Sequence, residues 1–176
     1  MTDQSKMVEL NENEGVVSFS NRLLSSPAFT ELFEGGMALV EEAANYLDVE
    51  GRAVSKTLER QVSLNYATES MRLTTRLMQL ASWLLLQRAV SEGEMSLAQA
   101  QEEKQKVKIK KQGTMTTGEK WDHLPEKLKD LISRSIRLQE QVMHFDEALN
   151  SSKKVVAQDK SPLAAHMNLL ADAFVK

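Results

Sequence analysis

The chain has 176 residues, 41% of them hydrophobic and 27% charged, with a formal net charge of −3 at pH 7. That is enough apolar chain for one domain with a core, so wholesale disorder is excluded, and the near-balanced charge excludes a global pull toward nucleic acid or anionic membrane. Cysteine is absent, which excludes disulfides and thiolate metal sites and makes a reducing cytosol the expected compartment.

In chain order, residues 1–15 (MTDQSKMVELNENEG) are acidic and polar and predict a disordered leader without a signal-peptide pattern. Residues 16–25 carry Phe19, Leu23 and Leu24 and predict a short helix packed on the rest. Ser26 before Pro27 is a capping hydroxyl followed by proline at the first helical position. Phe29, Phe33, Val40, Ala43 and Leu47 then recur at helical spacing, so the first long helix is expected over 27–48. Gly35-Gly36 inside it costs about 1 kcal/mol per residue relative to Ala, which implies close packing of a neighbour. Gly51 is the expected left-handed break.

The second long helix is expected over 52–90. Leu64, Ala67, Met71, Thr74, Met78, Ala81 and Leu85 form one stripe; Tyr66, Leu73, Leu77, Leu80 and Leu84 form another beside it. Two stripes are wider than one buried face requires, so this helix is read as the centre of a bundle, or as also meeting a second subunit. The run is broken by Arg76, Gln79, Gln87 and Arg88, so it is not expected to span a membrane, which takes about 20 mostly apolar residues. Asn65, Glu69, Arg72, Arg76, Gln79 and Trp83 fall in an arc opposite the stripes. Trp and Arg are favoured interface anchors, so Arg72, Arg76, Gln79 and Trp83 are candidates for a protein-binding surface. The alternative is that neighbouring chain covers Trp83.

Ser91–Glu94 interrupts, and Ser96 with Gln99 resembles a capping box opening a short polar helix. Lys104 to Gly118 predicts a flexible loop. Leu124-Pro125 opens a third long helix, with Leu128, Leu131, Ser135, Leu138, Val142, Phe145 and Leu149 at three–four spacing. The whole predicts an all-α fold: a helical bundle domain over 16–150, a leader over 1–15 and a flexible tail over 151–176. In the tail, Leu163, Met167, Leu170 and Phe174 would share one face of a short docking helix.

No phosphate-binding loop, nucleotide fingerprint or nucleophile elbow occurs, so an enzyme is not expected, nor a cofactor. Glu140, His144 and Glu147 share a helix face, but no second half-site accompanies them, so no metal is expected. The basic run Lys104, Lys106, Lys108, Lys110, Lys111 could grip phosphates, yet it lacks interleaved aromatics and lies among acids.

The segments ALVEEAANYLDVEGR (38–52), LNYATESMRLTTRLMQLASWLLLQRAV (64–90) and GEMSLAQAQEEKQKV (93–107) resemble the alphaproteobacterial family named for the regulator of CtrA degradation. The likeness runs through most of 16–107 and is most specific over 67–90. The third helix fits by pattern, and the tails match poorly. The resemblance implies a three-helix bundle that forms dimers. It also implies a cytoplasmic adaptor of the ClpXP protease, recruited with it to a cell pole. Such an adaptor helps deliver CtrA and other substrates together with CpdR-like and PopA-like proteins. The reading is therefore a non-enzymatic tether. Its rivals are a nucleic-acid-binding regulator using Lys104–Lys111 and a purely structural helical oligomer.

Overall fold

The computed structural model describes residues 20–106 and 118–158, and among these every regular element is helical. The helices are α1 (Pro27–Asp48), α2 (Glu50–Ser55), α3 (Arg60–Ser91), α4 (Leu97–Lys106), α5 (Glu119–Asp122) and α6 (Glu126–Gln158). The chain divides into two units. One is residues 24–144; of the other, residues 20–23 are helical and residues 145–158 are the end of α6.

Local signals set several boundaries. The Ser26 hydroxyl accepts from the Phe29 amide at 3.3 Å, with Pro27 in the first turn. Ser96 and Gln99 cap each other reciprocally: Gln99 N–H donates to Ser96 Oγ at 3.2 Å, and Ser96 N–H donates to Gln99 Oε1 at 3.0 Å. Past the end of α3, Gly93 takes φ of +75°. Its amide donates to the Val90 carbonyl and that of Glu94 to the Ala89 carbonyl, the Schellman pattern that only a left-handed residue closes cheaply.

Unit 24–144 is a three-helix bundle of α1, α3 and α6. Phe29, Leu32, Leu39, Ala43 and Tyr46 of α1 meet Leu73, Leu77, Leu80 and Leu84 of α3 and Leu128, Leu131, Ile132, Leu138 and Val142 of α6 in one core. Polar contacts fix the remaining edge. Glu42 of α1 pairs with Lys127 and, at 2.7 Å, with Arg134 of α6. Those two cations hold the Glu42 carboxyl below its ordinary pKa of 4.5, with Lys127 the larger cause. A lowered carboxylate pKa stabilises the fold above that ordinary value and ceases to do so as pH falls through the native one. Glu42→Gln should therefore lower stability at pH 7 by about 0.5 kcal/mol after solvent screening. Its deficit in urea unfolding should close once the pH drops well below 4.5.

The glycines separate into two kinds. A Cβ on Gly36 would lie 2.6 Å from Leu84 Cδ1, so α1 and α3 approach closely there, as the sequence predicts. Gly35 has nothing within 4 Å of that position and gains no packing from being glycine. Gly35→Ala should raise the melting temperature by about 3 °C, the worth of about 1 kcal/mol of helix propensity in a chain of this size. Gly36→Ala should lower it, because the clash falls inside a packed core. A thermal melt of both variants checks the opposite signs.

Three expectations are corrected. Gly51 is not a left-handed break but a buried helical residue of α2, and a Cβ there would lie 2.3 Å from the Tyr66 hydroxyl and 2.9 Å from the Tyr46 carbonyl. It is glycine for space. Burial, with Tyr66 alongside, pushes the Tyr46 phenol up to about 12. The helix expected over 52–90 is two, parted at residues 56–59, where Thr57 Oγ1 donates to the Val54 carbonyl at 2.8 Å. The third long helix does not end at Asn150 but continues to Gln158, so residues 151–158 are helical. The leader 1–15, residues 107–117 of the expected loop and the docking residues Leu163, Met167, Leu170 and Phe174 lie outside the described residues.

Candidate protein-binding surface

α3 is turned differently from the sequence expectation. The arc of Arg72, Arg76, Gln79 and Trp83 is not an outer face, because Trp83 is 1% and Arg76 2% exposed. The Trp83 ring meets Phe29 edge-on, with centroids 6.5 Å apart at 62°. Nearby, the Arg88 guanidinium sits over the Phe33 ring at 4.6 Å, on the rim of the same contact. These two α1 rings anchor α3 through its tryptophan end.

Arg76 is tolerated inside because polar partners meet it. Its Nη1 donates to Ser135 Oγ of α6 at 2.9 Å, and Ser135 Oγ donates in turn to the Ile132 carbonyl at 2.7 Å. Burial pushes the Arg76 pKa down, and the charge of Glu69 opposes that shift. Glu69 is itself buried, and its Oε1 accepts from Arg72 Nη1 at 2.6 Å. Gln87 and Gln139 are also buried, so polar residues run along the core. Of the four predicted surface residues, only Arg72 and Gln79 keep partial exposure. The correction has a simple cause. Bundle partners on two sides cover the Tyr66–Leu84 stripe and the neighbouring polar arc, and the other apolar stripe is left outside.

That outer stripe is the feature assigned to the core on sequence grounds. Leu64, Met71, Met78 and Leu85 are 62%, 71%, 65% and 50% exposed. They stand seven residues apart, a spacing that keeps them on one side of the helix for about 30 Å. Ala67, Thr74 and Ala81 lie three residues after the first three, and Thr68, Thr75 and Ser82 sit beside them. The hydroxyls of this strip bond back to their own helix: Thr68 to the Leu64 carbonyl, Thr75 to Met71 (both 2.9 Å) and Ser82 to Met78 (2.8 Å). Thr74 does the same toward Ser70 at 2.9 Å. None of these positions is charged. The strip therefore presents methyl and methylene groups with its polar atoms already satisfied, so burying it leaves no orphaned hydrogen-bonding group.

The other candidates bring less together. Glu140, His144 and Glu147 are exposed, and among the described residues no three His, Asp or Glu side chains are grouped to hold a metal. Lys104 and Lys106 fall in α4, where Lys106 pairs with Glu103 at 2.6 Å; Lys108, Lys110 and Lys111 lie outside the described residues. Among the described residues no helix is long and apolar enough to cross a membrane.

Comparison with known proteins places this architecture. No curated protein matches the chain. Residues 20–174 match the family described as "Protein of unknown function (DUF1465)". Among solved structures, the crystal structure of RcdA from Caulobacter crescentus is similar to this chain, with 49% sequence identity and a TM-score of 0.60. That match covers 73% of this chain and 96% of the other. The sequence resemblance, the three-helix bundle and this match agree: the chain belongs to the RcdA family.

Proposed function

We propose that this protein is a non-enzymatic adaptor in regulated proteolysis, working as a homodimer that holds substrates such as CtrA near the ClpXP protease together with CpdR-like and PopA-like proteins. The observation that carries the reading is the uncharged outer strip of α3. A helix face with four large exposed apolar side chains is a contact surface rather than a solvated one.

A second copy is the occupant that fits it, because the strip is self-complementary. It reads the same in both directions about the Thr74–Thr75 bond. Leu64 maps on Leu85, Met71 on Met78, and the small pairs Ala67–Ser82 and Thr68–Ala81 on each other. Two antiparallel α3 helices related by a twofold axis would place large residues opposite large and small opposite small, with the threonines at the axis. The small residues let the backbones approach, and the flexible Met side chains fill the remaining space.

A dimer duplicates every other surface of the bundle. Tethering through such surfaces raises the local concentration of a weakly held substrate and can add about 10²–10⁴-fold in avidity without new chemistry. The tail positions Leu163, Met167, Leu170 and Phe174 supply a second apolar motif for the protease side of the tether. The test is a binding experiment with pure components. Immobilised adaptor should retain CtrA and the ClpX ring together, and removal of residues 159–176 should release ClpX while CtrA stays. Retention of neither by the intact chain rejects the adaptor reading. Unchanged retention of both by the shortened chain rejects the role given to the tail.

A further inference from the structure

One cavity in unit 24–144 borders the α3 strip, sharing Thr68 with it. It has a volume of about 200 Å³ and is lined by Asn65, Thr68, Glu69 and Arg72 of α3, by Lys120 and Trp121 of α5, and by Leu124. One wall is apolar, from Trp121 and the buried Leu124, and the others are polar. Glu69 fixes Arg72 from below through the 2.6 Å ion pair, which orients the guanidinium and offsets its charge. One of the five guanidinium N–H groups is used there. Among the described residues, the others have no protein acceptor, and the Lys120 ammonium, the Asn65 amide and the Trp121 indole N–H have no protein partner.

The charge of the lining decides what fits. Glu69 and Arg72 cancel, and Lys120 leaves one net positive charge. A monoanion balances that; the dianion of a phosphate monoester would not. Four sets of hydrogen-bond donors meet one apolar wall in a space below the roughly 300–1,000 Å³ of sites for drug-sized ligands. The guest is thus small, carries one carboxylate and has an aliphatic group beside it.

We propose that this cavity captures the C-terminal residue of a partner polypeptide: the α-carboxylate between Arg72 and Lys120, and an aliphatic side chain against Trp121 and Leu124. The planar fork of an arginine matches the geometry of a carboxylate, and an ammonium beside it adds a second cation. The inference is independent of protease delivery, since it concerns only what this cavity binds.

The probe is N-acetyl-Gly-Gly-Leu, titrated into the intact protein while the two tryptophan indole N–H signals are followed by proton–nitrogen NMR. The sequence has two tryptophans, so Trp121→Phe assigns both signals. The Trp121 signal should shift and that of the buried Trp83 should not. The free acid should bind at least tenfold more tightly than its C-terminal amide. Lys120→Gln, at an exposed position, should weaken binding at least fivefold with unchanged helicity, and Arg72→Gln should do the same. Arg72→Lys, which keeps the charge without the fork, should lie between. Equal binding of acid and amide, or no shift of the Trp121 signal, overturns the proposal. So does binding of N-acetylleucine that the two added glycines abolish, because the site would then be closed to a polypeptide and serve a free small carboxylate.

Discussion

Trp83→Ala will destabilise the protein by about 3–5 kcal/mol, the range for emptying a large aromatic site in a packed core. The side chain is 1% exposed and edge-on to Phe29, so truncation removes apolar burial and opens a cavity that α1 and α3 cannot both collapse into. Were Trp83 on an outer binding face, the effect would stay within about 0.5 kcal/mol. Urea unfolding followed by circular dichroism separates the two. Arg76→Ala belongs to the same test. It deprives Ser135 of a donor and leaves Glu69 with less positive charge near it, a loss of a few kcal/mol if removing one member of a buried polar group behaves as usual. Lost partner binding in either variant would follow from unfolding, not from a missing contact.

The double substitution Met71→Glu with Met78→Glu will give the opposite result: near-wild-type folding of each chain and loss of self-association. Both positions are exposed in the single chain, so its own stability should change by no more than about 0.5 kcal/mol per site. In an antiparallel pair, the residue at 71 faces the residue at 78 of the other copy. Every new carboxylate then meets another across the twofold axis, and like charges so placed cost several kcal/mol. At 1.4 kcal/mol per tenfold, the dimer dissociation constant should rise by at least about a hundredfold. Sedimentation equilibrium should report a dimer for the natural chain and a monomer for the variant. A dimer in both places the self-contact elsewhere; a monomer in both removes it.

Which parts of this were legible in the sequence follows from how local each determinant is. The caps at Ser26 and at Ser96 with Gln99 could be read because donor and acceptor lie three residues apart. The long helices could be read from their spacing. The orientation of α3 could not. Both of its stripes are apolar at helical spacing, the inner one richer in leucine, and spacing alone does not say which one faces the bundle. The deciding contacts come from far along the chain: Arg76 finds Ser135 59 residues away, and Trp83 finds Phe29 on another helix. Polarity alone places arginine and tryptophan outward and the methionines inward, the reverse of what the fold does with Arg76, Trp83, Met71 and Met78. An arginine with a hydroxyl acceptor and a nearby carboxylate can be buried, and a Leu/Met strip can wait for a partner. Gly51 shows the same limit. An interruption near it is legible, and it falls at Val49 between α1 and α2, but the tyrosines that demand a glycine at 51 include Tyr66, fifteen positions on. The cavity beside Arg72 was not visible at all, because Lys120 and Trp121 reach it from a segment with no helical pattern linking it to α3.

Tethering is tested most directly by the rate of CtrA degradation by purified ClpXP with its CpdR-like and PopA-like helpers, with and without this protein at limiting substrate. An acceleration of at least about tenfold is expected, below the roughly 10²–10⁴-fold that tethering can supply, and it should be lost with the Met71→Glu, Met78→Glu variant. A degradation rate that the protein leaves unchanged would contradict the tethering role.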